Sequence, residues 1–226
     1  MEIQDTVYYI IAITMAIIAI LFYANIQIKK YDPLDKPKGI VLLLMMGVTT
    51  VDKMVNDQTN EIIAENLGPY IGTLTVYLVL SNISGLIGFD PPTANYSVTL
   101  TLAMITVFLI EKNAIKFNGL KNYLKGFFKP FAPFFLMNVV GKVAPLISMS
   151  MRLFGNIMTG GVIMGLVYSF TAMVSGLVPF LGFFNFVGVV VAPALHFYFD
   201  LFAGLIQTYI FISLTIAFIG KELPLK

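Results

Sequence analysis

The chain has 226 residues, of which 58% are hydrophobic and 12% are charged, and its mean hydropathy is +0.87. Because soluble domains carry about 25% charged residues, this composition excludes a soluble protein and predicts an all-α polytopic membrane protein. The net charge of +2 comes from lysines spread along the chain, so nucleic acid is not an expected partner. The absence of cysteine excludes disulfides and thiolate sites, and a single histidine excludes a histidine-rich metal site.

The first part of the chain predicts one membrane span and one interfacial helix. Residues 1–30 form the first span, which we expect to be retained because the acidic N-terminus lacks the basic region of a cleavable signal peptide. Residues 31–66 form a cytoplasmic loop that contains an amphipathic helix at the membrane interface. The evidence for that helix is the four-residue spacing of Asp57, Glu61 and Glu65, which places their side chains on one solvated face.

The rest of the chain predicts four more spans, about five in total, in a single membrane domain over residues 1–226. Residues 67–110 contain spans two and three, joined by a proline-containing turn, and residues 111–130 form a lysine-rich cytoplasmic loop. Residues 131–220 contain two long apolar helices, separated by a break at residues 175–179. We expect these two helices to form a tilted hairpin.

The distribution of lysine predicts the orientation of the chain. Lysines follow spans one and three and close the chain, whereas the N-terminal tail and the remaining turns contain neither lysine nor arginine. By the positive-inside rule, the N-terminus then lies outside and the C-terminus lies in the cytoplasm. We expect a multi-pass protein of the cell (plasma) membrane.

Arg152, the only arginine, is the first candidate functional residue, because it lies inside a long apolar run. A mid-bilayer arginine costs about 2.5–3.5 kcal/mol on insertion scales, and its guanidinium does not lose its proton. At helical spacing, Ser148, Asn156 and Thr159 share its face and form a polar stripe. One alternative is that Arg152 reaches the membrane interface or pairs with an internal carboxylate only to hold the fold.

The last long helix carries a second polar stripe. His196, Asp200 and Gln207 lie at offsets of four and seven, which places them on one face of a continuous α-helix. Ionisable groups inside a membrane are functional candidates by default. The two stripes together predict the walls of a hydrated ion path, and the alternative is a structural ion pair between Arg152 and Asp200.

Three separated motifs carry a resemblance to a known family. Residues 152–156 (RLFGN) resemble its central arginine motif, residues 207–211 (QTYIF) its C-terminal glutamine motif, and residues 92–95 (PTAN) the turn before its third span. The family is subunit a of the F-type ATP synthase, the membrane stator of that rotary complex. The resemblance covers about residues 67–220, while the preceding residues match in topology more than in motif.

The resemblance implies a function in ATP synthesis and ion transport. Two aqueous half-channels would pass protons or sodium ions to and from carboxylates on the rotor ring of subunit c, which the tilted hairpin would face. The resemblance implies a non-catalytic subunit with no nucleotide site and no cofactor. Its other implied partners are the peripheral-stalk subunit b and the lipid bilayer.

The resemblance also assigns residues to this function. Arg152 would favour deprotonation of the rotor carboxylate and prevent direct leakage between the half-channels. The candidate ion-translocation residues are Arg152, Asp200, Gln207, Asn156, His196, Asn95, Asn82 and Ser148. Gly161 departs from the pattern, because relatives often carry an acid or a histidine there, and we expect Asp200 with His196 to compensate. Lys142 and Pro145 depart from it as well, because relatives commonly carry an acid and a basic residue in that region. The resemblance therefore assigns no residues to the inner path.

Three rival functions are weaker. A secondary transporter would show internal repeats, and an intramembrane hydrolase would need a glycine-framed serine with a histidine base, of which Ser175-Gly176 is only a fragment. A metal enzyme built on His196 and Asp200 would lack a comparable third ligand. Each rival would act as an isolated chain, whereas a stator would be inactive without its rotor ring.

Overall fold

The computed structural model describes residues 2–30, 39–59, 61–177 and 184–221. Within these ranges the chain is helical and contains no strand, which confirms the all-α fold expected from composition. The helices are α1 (Glu2–Lys30), α2 (Ile40–Gln58), α3 (Glu61–Ile83), α4 (Tyr96–Asn118), α5 (Leu120–Gly126), α6 (Phe135–Gly176), α7 (Phe186–His196) and α8 (Gly204–Lys221). A π-helical segment, Phe197–Ala203, joins α7 to α8 without a turn.

Five stretches of the described chain are long and apolar enough to cross a membrane, as expected from the sequence. They are Val7–Lys30, Leu67–Ile87, Tyr96–Asn118, Phe135–Gly176 and Phe186–Lys221. The fourth has 42 residues, so it is about 63 Å long, roughly twice the ~30 Å hydrocarbon thickness of a bilayer. A helix of this length can span the layer with a strong tilt, which agrees with the expected tilted hairpin.

Local sequence signals set the ends of the helices that position the site. α4 begins where the Asn95 side-chain oxygen accepts a hydrogen bond from the Ser97 backbone N–H, and it ends at Gly119, whose φ of 73° favours glycine. α7 begins in the same way, because the Asn185 oxygen accepts from the Gly188 N–H. The predicted break between the two long helices lies between α6 and α7, although residues 178–183 are outside the described ranges.

One prediction for residues 40–66 was wrong. α2 ends at Gln58, and Thr59 has an extended backbone with φ −133° and ψ 177°. The chain then enters α3, so Asp57 lies on one helix and Glu61 and Glu65 lie on the next. The three acids therefore do not share a continuous helix face, because the four-residue spacing has meaning only within a single helix.

α2 is not among the candidate spans, and it packs against the helices that are. Its Val51 and Val55 side chains are buried in the main core. Its C-terminal end also meets the end of α8, where a Cβ on Gly220 would lie 2.6 Å from the backbone oxygen of Gln58. Only glycine permits so close an approach of two backbones.

The core lies where α2, α3, α4, α6 and α8 meet. Its largest fully buried apolar side chains include Ile71, Leu78, Leu153, Phe211 and Ile216. Because lipid tails are as apolar as leucine, close packing and interhelical hydrogen bonds stabilise this contact more than removal from water does. One such bond joins α3 to α4, between the hydroxyls of Tyr70 and Thr106 at 2.9 Å. This packed unit holds α6 and α8 side by side.

Candidate ion-translocation site

Arg152 lies near the middle of α6, and its side chain is exposed on the surface of the chain. Its guanidinium donates one hydrogen bond, from Nη2 to Ser148 Oγ one turn earlier, at 3.4 Å. Within the described part of the chain, no carboxylate lies within ion-pair distance of it. The alternative of a structural ion pair with Asp200 is therefore wrong, and the positive charge has no counter-charge from this part of the chain.

Asp200 instead contacts a histidine, which in turn contacts a tyrosine of the neighbouring helix. His196 Nδ1 lies 2.6 Å from Asp200 Oδ2, and His196 Nε2 lies 2.8 Å from the Tyr168 hydroxyl. Tyr168 belongs to α6, so the imidazole bridges the two arms of the hairpin. Sequence reasoning missed Tyr168, although it and His196 lie at nearly equal distances from the α6–α7 turn, as facing residues of a hairpin do.

Asp200 lies within the π-helical segment, which the sequence did not predict. π-Helices close i→i+5 hydrogen bonds, are rare and occur frequently at functional sites. The segment changes the helical register between Asp200 and Gln207, so their predicted common face does not follow from an offset of seven residues. Gln207 is instead only 5% exposed, and the described residues show no hydrogen bond between it and Arg152 or Asp200.

Two amides predicted at the ion path donate hydrogen bonds where the π segment meets α8. Asn156 Nδ2 on α6 donates to the Ala203 carbonyl at 3.4 Å. Asn82 Nδ2 on α3 donates to the Gly204 carbonyl at 3.0 Å and to Thr208 Oγ1 at 3.2 Å. Since a wide helical turn weakens the regular backbone pattern, side-chain donors at these carbonyls stabilise it.

Both the nitrogen and the oxygen of the Asn82 amide form hydrogen bonds. Its oxygen accepts a hydrogen bond from the Thr93 hydroxyl at 2.9 Å, and the residue is only 4% exposed. The side chain therefore joins α3, α8 and the turn before α4 at one point. Asn95, two residues after Thr93, is half-buried and caps α4.

A second polar cluster lies between the Asp200 region and the α6–α7 turn. Asn185 Nδ2 donates to Thr171 Oγ1 at 3.1 Å and lies 3.4 Å from the Tyr168 carbonyl. The Ser175 hydroxyl donates to Asn185 Oδ1 at 3.1 Å. Hydrogen-bonded polar groups thus extend along the α6–α7 interface from the turn to Asp200.

The opposite, lysine-rich end of the helices contains a cavity of about 490 Å³. Its polar lining includes Glu111, Asn118, Asn122, Asn138, Lys142 and Lys221. Lys142 Nζ lies 3.5 Å from Glu111 Oε2 and 5.3 Å from the ring centre of Tyr123. The sequence signal for Glu111 was its position as the first residue, and the only acid, of the lysine-rich stretch.

Comparison with known sequences now decides the family. Residues 7–220 match the family described as the ATP synthase A chain. This chain belongs to that family. Subunit a of Mycoplasma pneumoniae is 33% identical, in a match covering 96% of this chain and 78% of that protein. Subunit a of Streptococcus agalactiae is 31% identical, over 78% and 77% of the two chains.

A third relative is named for its ion. The "ATP synthase subunit a, sodium ion specific" of Propionigenium modestum is 34% identical over 66% of this chain, and the match spans about half of that protein (52%). Membership in the family makes the present chain a membrane-embedded, ion-translocating stator subunit that is not itself catalytic.

Gly161, the position at which the resemblance implies a titratable group in relatives, has open space around it. Outside its own helical turn, no heavy atom of the described residues lies within 4 Å of the point where a Cβ on Gly161 would stand. The position could therefore hold a longer side chain, and none is present. Of the titratable groups that the structure brings together, Tyr168 and His196 lie further toward the α6–α7 turn, whereas Asp200 follows Phe199, which lies against Gly160.

Proposed function

We propose that this chain guides the coupling ion past the rotor through two half-channels that end on opposite sides of Arg152. The observation that carries the proposal is the exposed, uncompensated guanidinium in the middle of α6. A lipid-facing arginine is costly, whereas a carboxylate from another subunit would remove that cost. The rotor ring of subunit c, packed against α6 and α8, would supply such carboxylates in turn.

The physical role of Arg152 follows from its permanent charge. At 4 Å and an effective dielectric constant of 20, a guanidinium stabilises a carboxylate by about 4 kcal/mol, which is nearly a thousandfold in the ionisation equilibrium. A rotor carboxylate that reaches Arg152 would therefore release its ion. The same charge repels a free cation, so it prevents direct leakage between the half-channels.

We place the outer half-channel along the polar interface between α6 and the α7–α8 arm. Asp200 and His196 would be its titratable groups, and Asn82 and Asn95 would fix its wall and its mouth. Gln207 and Asn156 would hold the helices beside Arg152. Orientation follows the lysines: the N-terminus lies outside, and the C-terminus lies in the cytoplasm.

The inner half-channel would open at the 490 Å³ cavity, where Glu111 and Lys142 meet at the lysine-rich end. Amide and charged groups make this cavity wettable, which an ion exit requires. α2, which is not a candidate span, would lie at the same cytoplasmic interface. We infer that the assembled complex resides in the plasma membrane and includes the peripheral-stalk subunit b.

ATP-driven ion pumping by the assembled complex in vesicles tests the proposal. We expect Arg152→Lys and Arg152→Ala each to abolish coupled pumping while the complex still assembles, because a lysine can lose its proton at this position. Normal pumping by Arg152→Ala would refute the mechanism. Ion transport by the isolated chain in vesicles would favour a self-contained transporter instead.

A further inference from the structure

Three titratable side chains form one continuous line at the end of the proposed outer half-channel. The Tyr168 hydroxyl and Asp200 Oδ2 lie on the two sides of the His196 ring, at 2.8 Å from Nε2 and 2.6 Å from Nδ1. Tyr168 comes from α6 and Asp200 from the π-helical segment. Both ring nitrogens are therefore engaged, each by a group that can exchange a proton.

We propose that Tyr168, His196 and Asp200 form a proton relay, and that the ion passed by this subunit is therefore the proton and not sodium. The proposal rests on the function proposed above and adds to it the identity of the ion and one further residue, Tyr168. It assigns to Tyr168 the outer end of the relay and to Asp200 the end that delivers the proton toward the rotor.

The donors and acceptors of the three side chains fix the direction of the relay. An ionised carboxylate can only accept, so a neutral His196 carries its proton on Nδ1 and donates it to Asp200. Nε2 then accepts, and the Tyr168 hydroxyl donates to it. Every donor in the line thus points from Tyr168 toward Asp200.

The transfer step balances without any ion other than the proton. A proton from outside binds the Tyr168 oxygen as the hydroxyl proton moves to Nε2, and the Nδ1 proton moves to Asp200 Oδ2. One proton has entered and the carboxylate is now neutral. When Asp200 passes that proton to a rotor carboxylate, proton exchange with water restores the starting tautomer, because Nδ1 takes up one proton as Nε2 releases one.

The same groups do not suit sodium. Hard cations are bound by several oxygen ligands, whereas the ligand presented between Tyr168 and Asp200 is an imidazole. The described part of the relay offers one hydroxyl and one carboxylate, and these are separated by the ring. A sodium ion would have to displace both hydrogen bonds to pass.

Two further observations agree with a wet, proton-conducting line. The side chains of His196 and Asp200 keep 36% and 24% of their surface exposed, which leaves room for water beside both. Behind Tyr168, the polar cluster of Asn185, Thr171 and Ser175 continues toward the α6–α7 turn. The open space at Gly161 agrees with a relay that has replaced the titratable group absent there.

Pumping by the assembled complex in vesicles tests the relay, and Tyr168→Phe is the decisive variant because it removes one hydroxyl and keeps the ring. We expect a loss of about a hundredfold or more in proton pumping, within the range of a positioned proton-transfer group. In His196→Gln the amide can still form hydrogen bonds, but it cannot accept a proton on one nitrogen and release one from another. This variant should therefore lose at least as much proton pumping as Tyr168→Phe. Tyr198→Phe, in the π segment with its ring stacked on Phe202, is the matched control and should pump normally.

Two readouts separate a relay from a merely structural bond between the helices. The first is His196→Gln, whose amide keeps hydrogen-bonding groups at this position, so it should pump normally if the contact is only structural and should lose pumping if His196 relays a proton. The parent should pump in sodium-free buffer and should not accumulate labelled sodium.

The outcomes that overturn the relay are distinct from those that overturn the stator function. Sodium accumulation by the parent that persists with a protonophore, or full proton pumping by Tyr168→Phe, would refute the relay. If Arg152→Ala still fails to pump in either case, the stator function stands. If Arg152→Ala pumps, the proposed stator function is refuted whatever the result for the relay.

Discussion

Replacement of Gly204 by alanine tests the contact that holds α8 against α3. Gly204 begins α8 with helical backbone angles, φ −62° and ψ −42°, so alanine is allowed by the backbone. The added Cβ would nevertheless lie 2.9 Å from the Cβ of Asn82. Carbon atoms prefer a separation of about 3.5–4.0 Å, so the two helices would have to move apart by roughly 0.6–1 Å.

The cost of Gly204→Ala can be worked from this geometry. Overpacking costs about 1–3 kcal/mol, and the displaced Asn82–Gly204 hydrogen bond, 3.0 Å long, contributes about 0.6–1.7 kcal/mol inside a membrane. Alanine returns up to about 1 kcal/mol of helix propensity. The sum is a destabilisation of about 1–4 kcal/mol.

Gly161→Ala is the matched control, because it makes the same chemical change in a helix where the added Cβ would have no heavy atom of the other described residues within 4 Å, outside its own helical turn. It should be neutral or stabilising by up to about 1 kcal/mol. The assay is heating of the detergent-solubilised complex, followed by measurement of the subunit that remains assembled and of pumping after reconstitution. Gly204→Ala should lower the midpoint temperature, whereas Gly161→Ala should leave it unchanged or raise it.

A rescue variant separates this contact from a general intolerance of the site. Asn82→Ala would keep the atom that collides, so only Asn82→Gly relieves the contact. Combined with Gly204→Ala, it should be less destabilising than the two single changes added together, as contacting residues require. Equal midpoints for Gly204→Ala and Gly161→Ala would refute the packing argument.

Two further predictions concern the lysine-rich end. Because the chain has no cysteine, Asn138→Cys introduces a single thiol into the cavity; it should react with a membrane-impermeant maleimide from the cytoplasmic side. Phe108→Cys, a control at an exposed apolar position on α4, should stay unlabelled, and equal labelling would exclude a water-filled opening. Glu111→Gln and Lys142→Met should each reduce pumping more than the double variant does, since each single change removes one charge of the ion pair and the double change removes both. Additive losses would exclude a functional pair.

The sequence by itself determined that the chain is helical and membrane-spanning, because these features depend on composition. High hydropathy with few charges requires lipid as the solvent, and a chain in lipid must satisfy its backbone groups internally, so helices of span length follow. The isolated charges at Arg152 and Asp200 were visible for the same reason, because a costly group stands out in an apolar run. The helix break at Thr59 was not visible, because a polar residue suits either a helix or its end.

Tertiary structure alone decided which polar groups meet. Spacing along one helix predicted the neighbours of Asp200 on its own arm, but the Tyr168 contact depends on how two helices are aligned across a turn. The π-helical segment was equally hidden, because the amides that donate to the carbonyls at its end, Asn82 and Asn156, come from other helices. Sequence thus identified the charges in the apolar runs, and packing decided that Asp200 is paired with His196 while Arg152 is exposed on the surface of the chain.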